Sequence, residues 1–164
     1  SMFAGATAFN QDLSNWDVSN VTDMASMFSN ADAFNQDLSS WDVSNVIYMY
    51  RMFKGADSFN QDLSRWDVSN VTDMSLMFAQ TKAFNQNLSL WDVSNVKKMK
   101  GMFEGTKLST LNYDALLLGW SNLPLQRDVE FHGGNSKYSN SSQSARDVLT
   151  DIYSWSVTDG GVDN

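Results

Sequence analysis

The sequence is informative first through what it lacks. It contains no cysteine, which excludes a disulfide framework and a thiolate metal site. Its 164 residues include one proline, one histidine and no run of 18 apolar residues that could span a bilayer. Lysine and arginine number 11 against 19 acidic residues, a net charge of −8. We therefore expect no nucleic-acid partner and no membrane insertion of this chain.

One hexapeptide organises the rest of the chain. Trp-Asp-Val-Ser-Asn-Val begins at Trp16 and returns unchanged at Trp41, Trp66 and Trp91, always 25 residues later. Met-Phe pairs and Phe-Asn-Gln triplets recur with the same period. A fixed period of roughly 20 to 50 residues is typical of stacked repeats. Because the first residue falls inside a repeat, we expect this sequence to be a piece of a longer protein.

Each repeat contains two kinds of apolar spacing. Trp16 and Val18 alternate with polar residues, which indicates a short strand. The next apolar residues have helical spacing and are Val21, Met24, Met27 and Phe28. Asn20 lies between the two patterns and can cap the first turn of a helix. One repeat is therefore predicted to be a strand, a turn and about two turns of helix.

The 25-residue period stops after Phe103. The following sequence predicts a helix over 111–122 capped by Ser109 or Thr110, a strand over 129–131, a helix over 145–153 and a strand over 155–157. A stacked array needs a terminal unit that covers its last member. We therefore predict two parts, a repeat region over 1–107 and a capping module over 108–164.

Three polar or aromatic columns result if equivalent residues stack. The tryptophan column is predicted to be core, with an aromatic platform for sugar rings as the alternative. The asparagines at position 10 and its equivalents are predicted to form a buried ladder, in which each side chain bonds the loop backbone of the adjacent repeat. The aspartates at position 17 and its equivalents either accept from the amide two residues on, as Asx-turns, or hold Ca²⁺. Ca²⁺ is the only cofactor that the sequence suggests, and otherwise we expect none.

A binding surface follows from the strand periodicity. Side chains beside Trp16 and Val18 are predicted to face outward, because successive residues of a strand point to opposite faces. The predicted ligand-binding residues are Asn15, Asp17, Ser40, Asp42, Arg65, Asp67, Leu90 and Asp92. The alternative surface lies on the predicted helices and consists of Tyr48, Tyr50 and Arg51.

The sequence resembles the DUF285 repeats of BspA-like leucine-rich-repeat surface proteins. The matching string, Phe-Asn-Gln-Asp-Leu-Ser-x-Trp-Asp-Val-Ser-Asn-Val-x-x-Met-x-x-Met-Phe, covers nearly all of 1–107. The tail also resembles the module that closes such arrays, at 112–117, 131–136 and 155–161. The resemblance implies an α/β right-handed leucine-rich-repeat-like solenoid of four full 25-residue coils plus a half coil, closed by a small α/β C-terminal cap.

The resemblance also implies a secreted or surface-anchored microbial protein that works in adhesion rather than catalysis. His132 beside a Gly-Gly turn is expected to be a solvated or capping residue, and no nucleophile with a base is apparent. We therefore expect a non-enzymatic, extracellular or cell-surface module that binds an extracellular protein or a polysaccharide. The alternative is a structural spacer or stalk. Weak self-association through an uncapped N-terminal end is also expected.

Overall fold

A computed structural model describes residues 1–163 of the chain. All of its regular elements lie in the tail. They are helix α1 (Thr110–Trp120), strand β1 (Glu130–His132), a 3₁₀ helix (Asn140–Ser142), helix α2 (Gln143–Asp147), a π-helical turn (Val148–Ile152) and strand β2 (Ser156–Thr158). Strands β1 and β2 are parallel, with Phe131 opposite Val157, and they form an open two-stranded sheet.

The predicted leucine-rich-repeat-like solenoid is wrong. Residues 1–107 contain no helix and no strand, and consist of turns joined by isolated bridges such as Asp23 to Tyr48 and Tyr48 to Asp73. Regular secondary structure in the described chain is limited to the short helices and the open sheet of the tail. The strand-and-helix composition predicted for each repeat does not occur.

A left-handed residue explains why the predicted helix does not form. Ser26 has a φ of +56°, and the equivalent Arg51, Leu76 and Gly101 have φ between +56° and +65°. An α-helix cannot continue through such a residue. The amide of Met24 donates instead to the carbonyl of Tyr48, 24 residues later, at 2.9 Å. The backbone here therefore bonds to the neighbouring repeat rather than to its own previous turn.

Tight turns explain why the predicted strand does not form. The amide of Trp16 donates to the carbonyl of Leu13 at 3.0 Å, and that of Val21 donates to Val18 at 2.8 Å. Neighbouring segments are linked here by side chains. Asn20 does not cap a helix, and its equivalent Asn45 donates to the carbonyl of Ser19 at 2.8 Å. An extended piece between two turns gives the same buried-exposed alternation as a strand.

The apolar columns form one continuous core from Leu13 to Trp155. Equivalent phenylalanine rings stack on one another, with ring centres 5.6 Å apart for Phe28 and Phe53 and again for Phe53 and Phe78. The prediction that the tryptophans are core is confirmed for the last three copies, Trp41, Trp66 and Trp91. It is wrong for Trp16, which is 41% exposed and has no earlier repeat packed against it.

The elements of the tail follow the sequence prediction closely. Ser109 caps α1, accepting the amide of Asn112 at 3.3 Å, and both predicted strands are found within a residue or two of their expected place. The tail also contacts the groups that the fourth repeat offers. The Trp120 indole donates to the carbonyl of Leu88 at 3.2 Å. The division at residue 107 stays a prediction, and Asn164, the last residue of the predicted module, lies outside the described residues.

A buried ion pair connects the two ends of the tail. The Asp159 side chain is 3% exposed and accepts from Arg146 Nε at 2.8 Å. The Tyr113 hydroxyl donates to the same carboxylate at 2.9 Å, and its burial raises the pKa of Tyr113 well above the ordinary value. Both Asp159 oxygens and the Tyr113 hydroxyl have hydrogen-bond partners, so the cluster joins α1 and α2 to the chain beyond β2. None of the helices among residues 1–163 has the length and apolar character needed to cross a bilayer.

Candidate functional site

The eight predicted ligand-binding residues are all exposed. We call them the aspartate face, defined by Asn15, Asp17, Ser40, Asp42, Arg65, Asp67, Leu90 and Asp92. Leu90 is 80% exposed, the highest value among the large hydrophobic side chains. Ser40 donates to the carbonyl of Ser14 at 2.9 Å, which ties the face across two repeats. Outward placement is therefore found at every predicted position, although no strand carries it.

Each aspartate of the face is held by the serine two residues later. Asp17 Oδ1 accepts from the Ser19 amide at 3.1 Å and from its hydroxyl at 2.6 Å, and Asp42 accepts from Ser44 at the same distances. Asp67 and Asp92 accept the corresponding serine amides at 3.0 Å. The Asx-turn prediction is confirmed. These turns use one carboxylate oxygen, Oδ1, and fix the orientation of the other.

These hydrogen bonds also change the acidity of the face. The serine hydroxyl, followed by the serine amide, holds the pKa of Asp17 and of Asp42 below the ordinary value of 3.8. The negative charge of Asp17 acts in the opposite direction on the pKa of Asp42. In the first two repeats, donors from the same turn therefore favour the ionised form of the aspartate.

No cation is needed to form these turns. Within residues 1–163, no group of three or more histidine, cysteine, aspartate or glutamate side chains is placed to hold a metal ion. The Ca²⁺ alternative was suggested by the repetition of aspartate alone, and it stays a prediction.

Arg65 lies beside a cavity of about 320 Å³ on this side of the molecule. Its other lining residues are Asp37, Ser39, Gln61 and Asp62. The positive charge of Arg65 contributes to lowering the pKa of Asp62, after the Ser64 amide and hydroxyl. A cationic side chain in an otherwise acidic surface gives the third repeat a chemistry that the other three do not have.

The prediction that these asparagines bond the backbone of the adjacent repeat is confirmed, whereas their predicted burial is wrong for most of them. Asn35 Oδ1 accepts from the amide of Asn60 at 2.9 Å and from Gln61 Nε2 at 2.9 Å. The same pair of bonds is made by Asn10 and Asn60. Most of these asparagines are exposed rather than buried. The glutamine of the Phe-Asn-Gln triplet is the donor that the sequence prediction missed.

The alternative surface contains an aromatic and cationic pair. The guanidinium of Arg51 lies 4.7 Å from the ring centre of Tyr50, and Tyr48 is 48% exposed. Tyr50 also lines a cavity of about 610 Å³, together with Leu76, Lys100 and residues of the tail. The tail supplies Glu130 and His132, and the prediction that His132 has a capping role is confirmed because its Nδ1 accepts the amide of Gly134 at 3.0 Å.

Sequence reasoning missed this cavity. Its walls come from two variable columns of the repeat, one containing Tyr50, Ser75 and Lys100 and the other Asp73 and Lys98. The drift of these columns from acidic and aromatic to basic residues was the available signal. In a sequence alone, such a drift is typical of a solvated face, because the position of the tail over the fourth repeat is not visible there.

The comparisons with known proteins give a family and no function. Residues 1–116 match the family model described as "Mycoplasma protein of unknown function, DUF285". No curated protein and no solved structure matches the chain. The matched region contains all four hexapeptides and most of α1, so the chain belongs to the DUF285 family.

Proposed function

We propose that the chain is a non-catalytic binding module of the microbial cell surface, which recognises an extracellular protein or glycan through the aspartate face. The location outside the cell is supported by the resemblance to BspA-like surface proteins. The binding role is supported by the aspartate face, where constant and variable side chains are exposed side by side.

The observation that carries the proposal is the restraint of the four aspartates. A carboxylate whose Oδ1 is bonded to its own turn loses little side-chain freedom when Oδ2 accepts from a ligand. Equivalent acceptors then recur once in every repeat. Such a row suits a ligand with regularly spaced donors, either an extended polysaccharide or an extended polypeptide.

The variable positions supply the means of discrimination. They change from Asn15 to Ser40, Arg65 and Leu90 along the row, from small polar to cationic to apolar. A ligand that fits Arg65 and leaves Leu90 in water loses apolar contact, so order along the ligand matters. Selectivity therefore depends mainly on the third and fourth repeats.

The test replaces the two most distinctive variable residues together. Arg65→Ala with Leu90→Ala should abolish binding to host cells or to a glycan and protein array. Both side chains are exposed, so the free energy of unfolding should stay within about 0.5 kcal/mol of the parent. The matched control is Tyr48→Ala with Tyr50→Ala on the other surface. Loss of binding only in the tyrosine variant would overturn the proposal and locate the site at the larger cavity.

A structural spacer is the second candidate. Two observations favour it, namely the continuous core from Leu13 to Trp155 and the use of each aspartate in its own turn. If the chain is a spacer, the unmutated chain should bind no ligand on the array, and neither double variant should differ from it. If the unmutated chain binds a ligand and either double variant no longer binds it, the spacer hypothesis is excluded for this region.

We further propose that residues 108–163 close the fourth repeat as a cap. The support is that Trp120, Gln126 and Asn112 donate to Leu88, Ser94 and Asn85, the same groups that a following repeat would bond. Removing residues 108–164 should give insoluble protein, or soluble protein without a cooperative thermal transition. A soluble fragment of residues 1–107 with a sharp transition would overturn this proposal.

A last part of the proposal concerns self-association. Met2 is 68% exposed and Trp16 is 41% exposed, so apolar surface is open at the start of the chain. We expect weak, concentration-dependent dimers in light scattering. A strictly monomeric protein at high concentration would contradict this expectation.

A further inference from the structure

The tail continues a row of backbone bridges that runs through the repeats. In the repeats, parallel bridges join Asp23, Tyr48, Asp73 and Lys98 in turn. Met99 then bridges Phe131 in the same parallel sense, and β1 pairs with β2. Because residues on either side of a parallel bridge also lie side by side, Glu130 follows Lys98 along the outer surface. Side chains of the third repeat, the fourth repeat and the tail therefore stand next to one another.

These side chains line the cavity of about 610 Å³, which we call the junction cavity. It is defined here by Tyr50, Asp73, Lys98, Lys100, Glu104 and Glu130. Gly101 also lines it and has a φ of +65°. A Cβ atom at Gly101 would lie 2.6 Å from Leu76 Cδ2, so no side chain fits there. The volume lies within the range of about 300–1,000 Å³ that is typical of sites for small ligands.

The junction cavity contains charges of both signs that are not hydrogen-bonded to one another. Lys98 Nζ lies 3.9 Å from Asp73 Oδ2, and Lys100 Nζ lies 3.5 Å from Glu130 Oε2. A hydrogen bond between an ammonium nitrogen and a carboxylate oxygen spans about 2.7–2.9 Å. Glu104 forms no ion pair among residues 1–163. The cavity therefore presents ammonium and carboxylate groups that are both available to a ligand.

One wall of the cavity is apolar. It is formed by the ring of Tyr50 and the side chain of Leu76. The guanidinium of Arg51 lies over the Tyr50 ring, 4.7 Å from its centre, so the opposite face of the ring remains for a ligand. An apolar group placed here would be covered by carbon atoms while its charged neighbours reach the lysines and carboxylates.

We propose that the junction cavity binds a free α-amino acid with an apolar side chain. The ligand carboxylate accepts from Lys98 and Lys100, and the ligand ammonium group donates to Glu104. The ligand side chain packs against Leu76 and the open face of Tyr50. Each charge of the ligand then meets a charge of opposite sign, which complementary binding requires.

Ligands with a charge of one sign fit this cavity less well. An anion would bind the lysines but would also face Asp73, Glu104 and Glu130. A cation would meet these carboxylates but would lie beside two lysines. The site shares no residue with the aspartate face. Arg65→Ala with Leu90→Ala should therefore leave amino-acid binding unchanged, and either proposal can fail without the other.

The experiment titrates the ¹⁵N-labelled chain with L-leucine up to about 20 mM. A pH of about 6.5 keeps the α-amino group protonated. The amide signal of Gly101 reports on the cavity, and that of Gly55, which does not line it, is the internal control. We expect a Kd of about 1 mM, because so small a ligand makes few contacts. N-acetyl-L-leucine lacks the ammonium group and L-leucinamide lacks the carboxylate, so each should bind at least about tenfold more weakly.

Two variants should change which ligand is preferred. Glu104→Gln should weaken L-leucine at least about fivefold and bind N-acetyl-L-leucine no more weakly than the parent does. Lys100→Gln should weaken L-leucine to a similar extent and bind L-leucinamide no more weakly. Lys82→Gln is the matched control, because it removes an exposed lysine outside the cavity, and it should bind L-leucine as the parent does. General loss of structure would instead weaken all three ligands together.

Selective binding of L-leucine at Gly101, with the preferences changed by the two variants, supports the proposal. No shift at Gly101 overturns it. Binding of either single-charge analogue within about tenfold of L-leucine overturns the need for both charges. Binding of phosphoethanolamine, the zwitterionic group of a lipid, within about tenfold overturns the assignment to an amino acid. If Glu104→Gln and Lys100→Gln bind L-leucine as the parent does, the junction cavity is not the site.

Discussion

Replacing Trp66 by alanine tests how the repeats hold one another. Trp66 is 3% exposed, its ring centre lies 6.3 Å from that of Phe53, and its indole donates to the carbonyl of Leu38 at 3.0 Å. The side chain therefore fills space inside one repeat and satisfies a backbone acceptor of the previous one. Both contributions are lost in Trp66→Ala.

The expected cost is about 3–5 kcal/mol, the usual range for removing a large buried aromatic side chain. Trp66→Phe separates the two contributions, because it keeps much of the ring and removes the donor. The carbonyl of Leu38 is then left without its partner, which costs about 1–3 kcal/mol. The alanine variant should therefore be less stable than the phenylalanine variant, and both less stable than the parent.

Trp16→Ala is the matched control, since Trp16 is followed by the same five residues as Trp66. It is 41% exposed, however, and its indole donates to no acceptor in the described chain. We expect it to cost about 1 kcal/mol or less. Calorimetry and urea unfolding followed by the fluorescence of the other tryptophans give the free energies. If Trp16→Ala and Trp66→Ala cost the same, the contact with the previous repeat contributes nothing and the reasoning is wrong.

Three further predictions concern backbone strain, the buried ion pair and acidity. Gln80 has a φ of +60° at a position where the adjacent repeats have glycine, so Gln80→Gly should stabilise the fold by about 1 kcal/mol in urea unfolding. Asp159→Ala should cost about 3–5 kcal/mol, measured by calorimetry, because it leaves the half-buried Arg146 without its partner. Ser19→Ala should raise the pKa of Asp17 toward 3.8 in a carboxyl NMR titration. Because the folded pKa lies below the unfolded one, the stabilisation is present above about pH 3.8 and is lost as the pH falls through the folded pKa.

The first two of these predictions have a matched control within the chain. Asn30 occupies the same repeat position as Gln80 with a φ of +55°, and asparagine tolerates that region, so Asn30→Gly should gain less. Lys82 and Asp57 form an exposed ion pair at 2.6 Å, and Asp57→Ala should cost less than about 1 kcal/mol. A cost for Asp57→Ala equal to that of Asp159→Ala would refute the assignment of a buried role to Arg146.

The sequence predicted which residues are buried better than it predicted the backbone conformation of those residues. Comparing four copies separates constant apolar positions from variable polar ones, and the constant positions of the later repeats are indeed core. Leu38, Val43 and Phe53 are examples, with exposures of 0–1%. Burial depends on side-chain chemistry, which an internal comparison reveals directly. The same comparison located the exposed residues of the aspartate face.

The backbone was mispredicted because helical spacing and short turns can bury the same side chains. The decisive residues are the left-handed ones at Ser26, Arg51 and Leu76, and only Gly101 at this position carries a recognisable signal. A non-glycine residue adopts that conformation only when surrounding contacts compensate for it, and those contacts come from the next repeat. The larger cavity was missed for a related reason, because its walls meet only after the tail has folded onto Met99 and Phe103.

The offset of 24–28 residues in most inter-repeat hydrogen bonds has a mechanical consequence. Tension applied between the two termini acts on an edge repeat first, and releasing that repeat leaves the interior contacts of the others intact. Each released repeat of 25 residues lengthens to roughly 85 Å when fully extended. Pulling on a single molecule should therefore give a series of similar extension steps. The chain would act as an extensible tether that dissipates mechanical work by unfolding one repeat at a time.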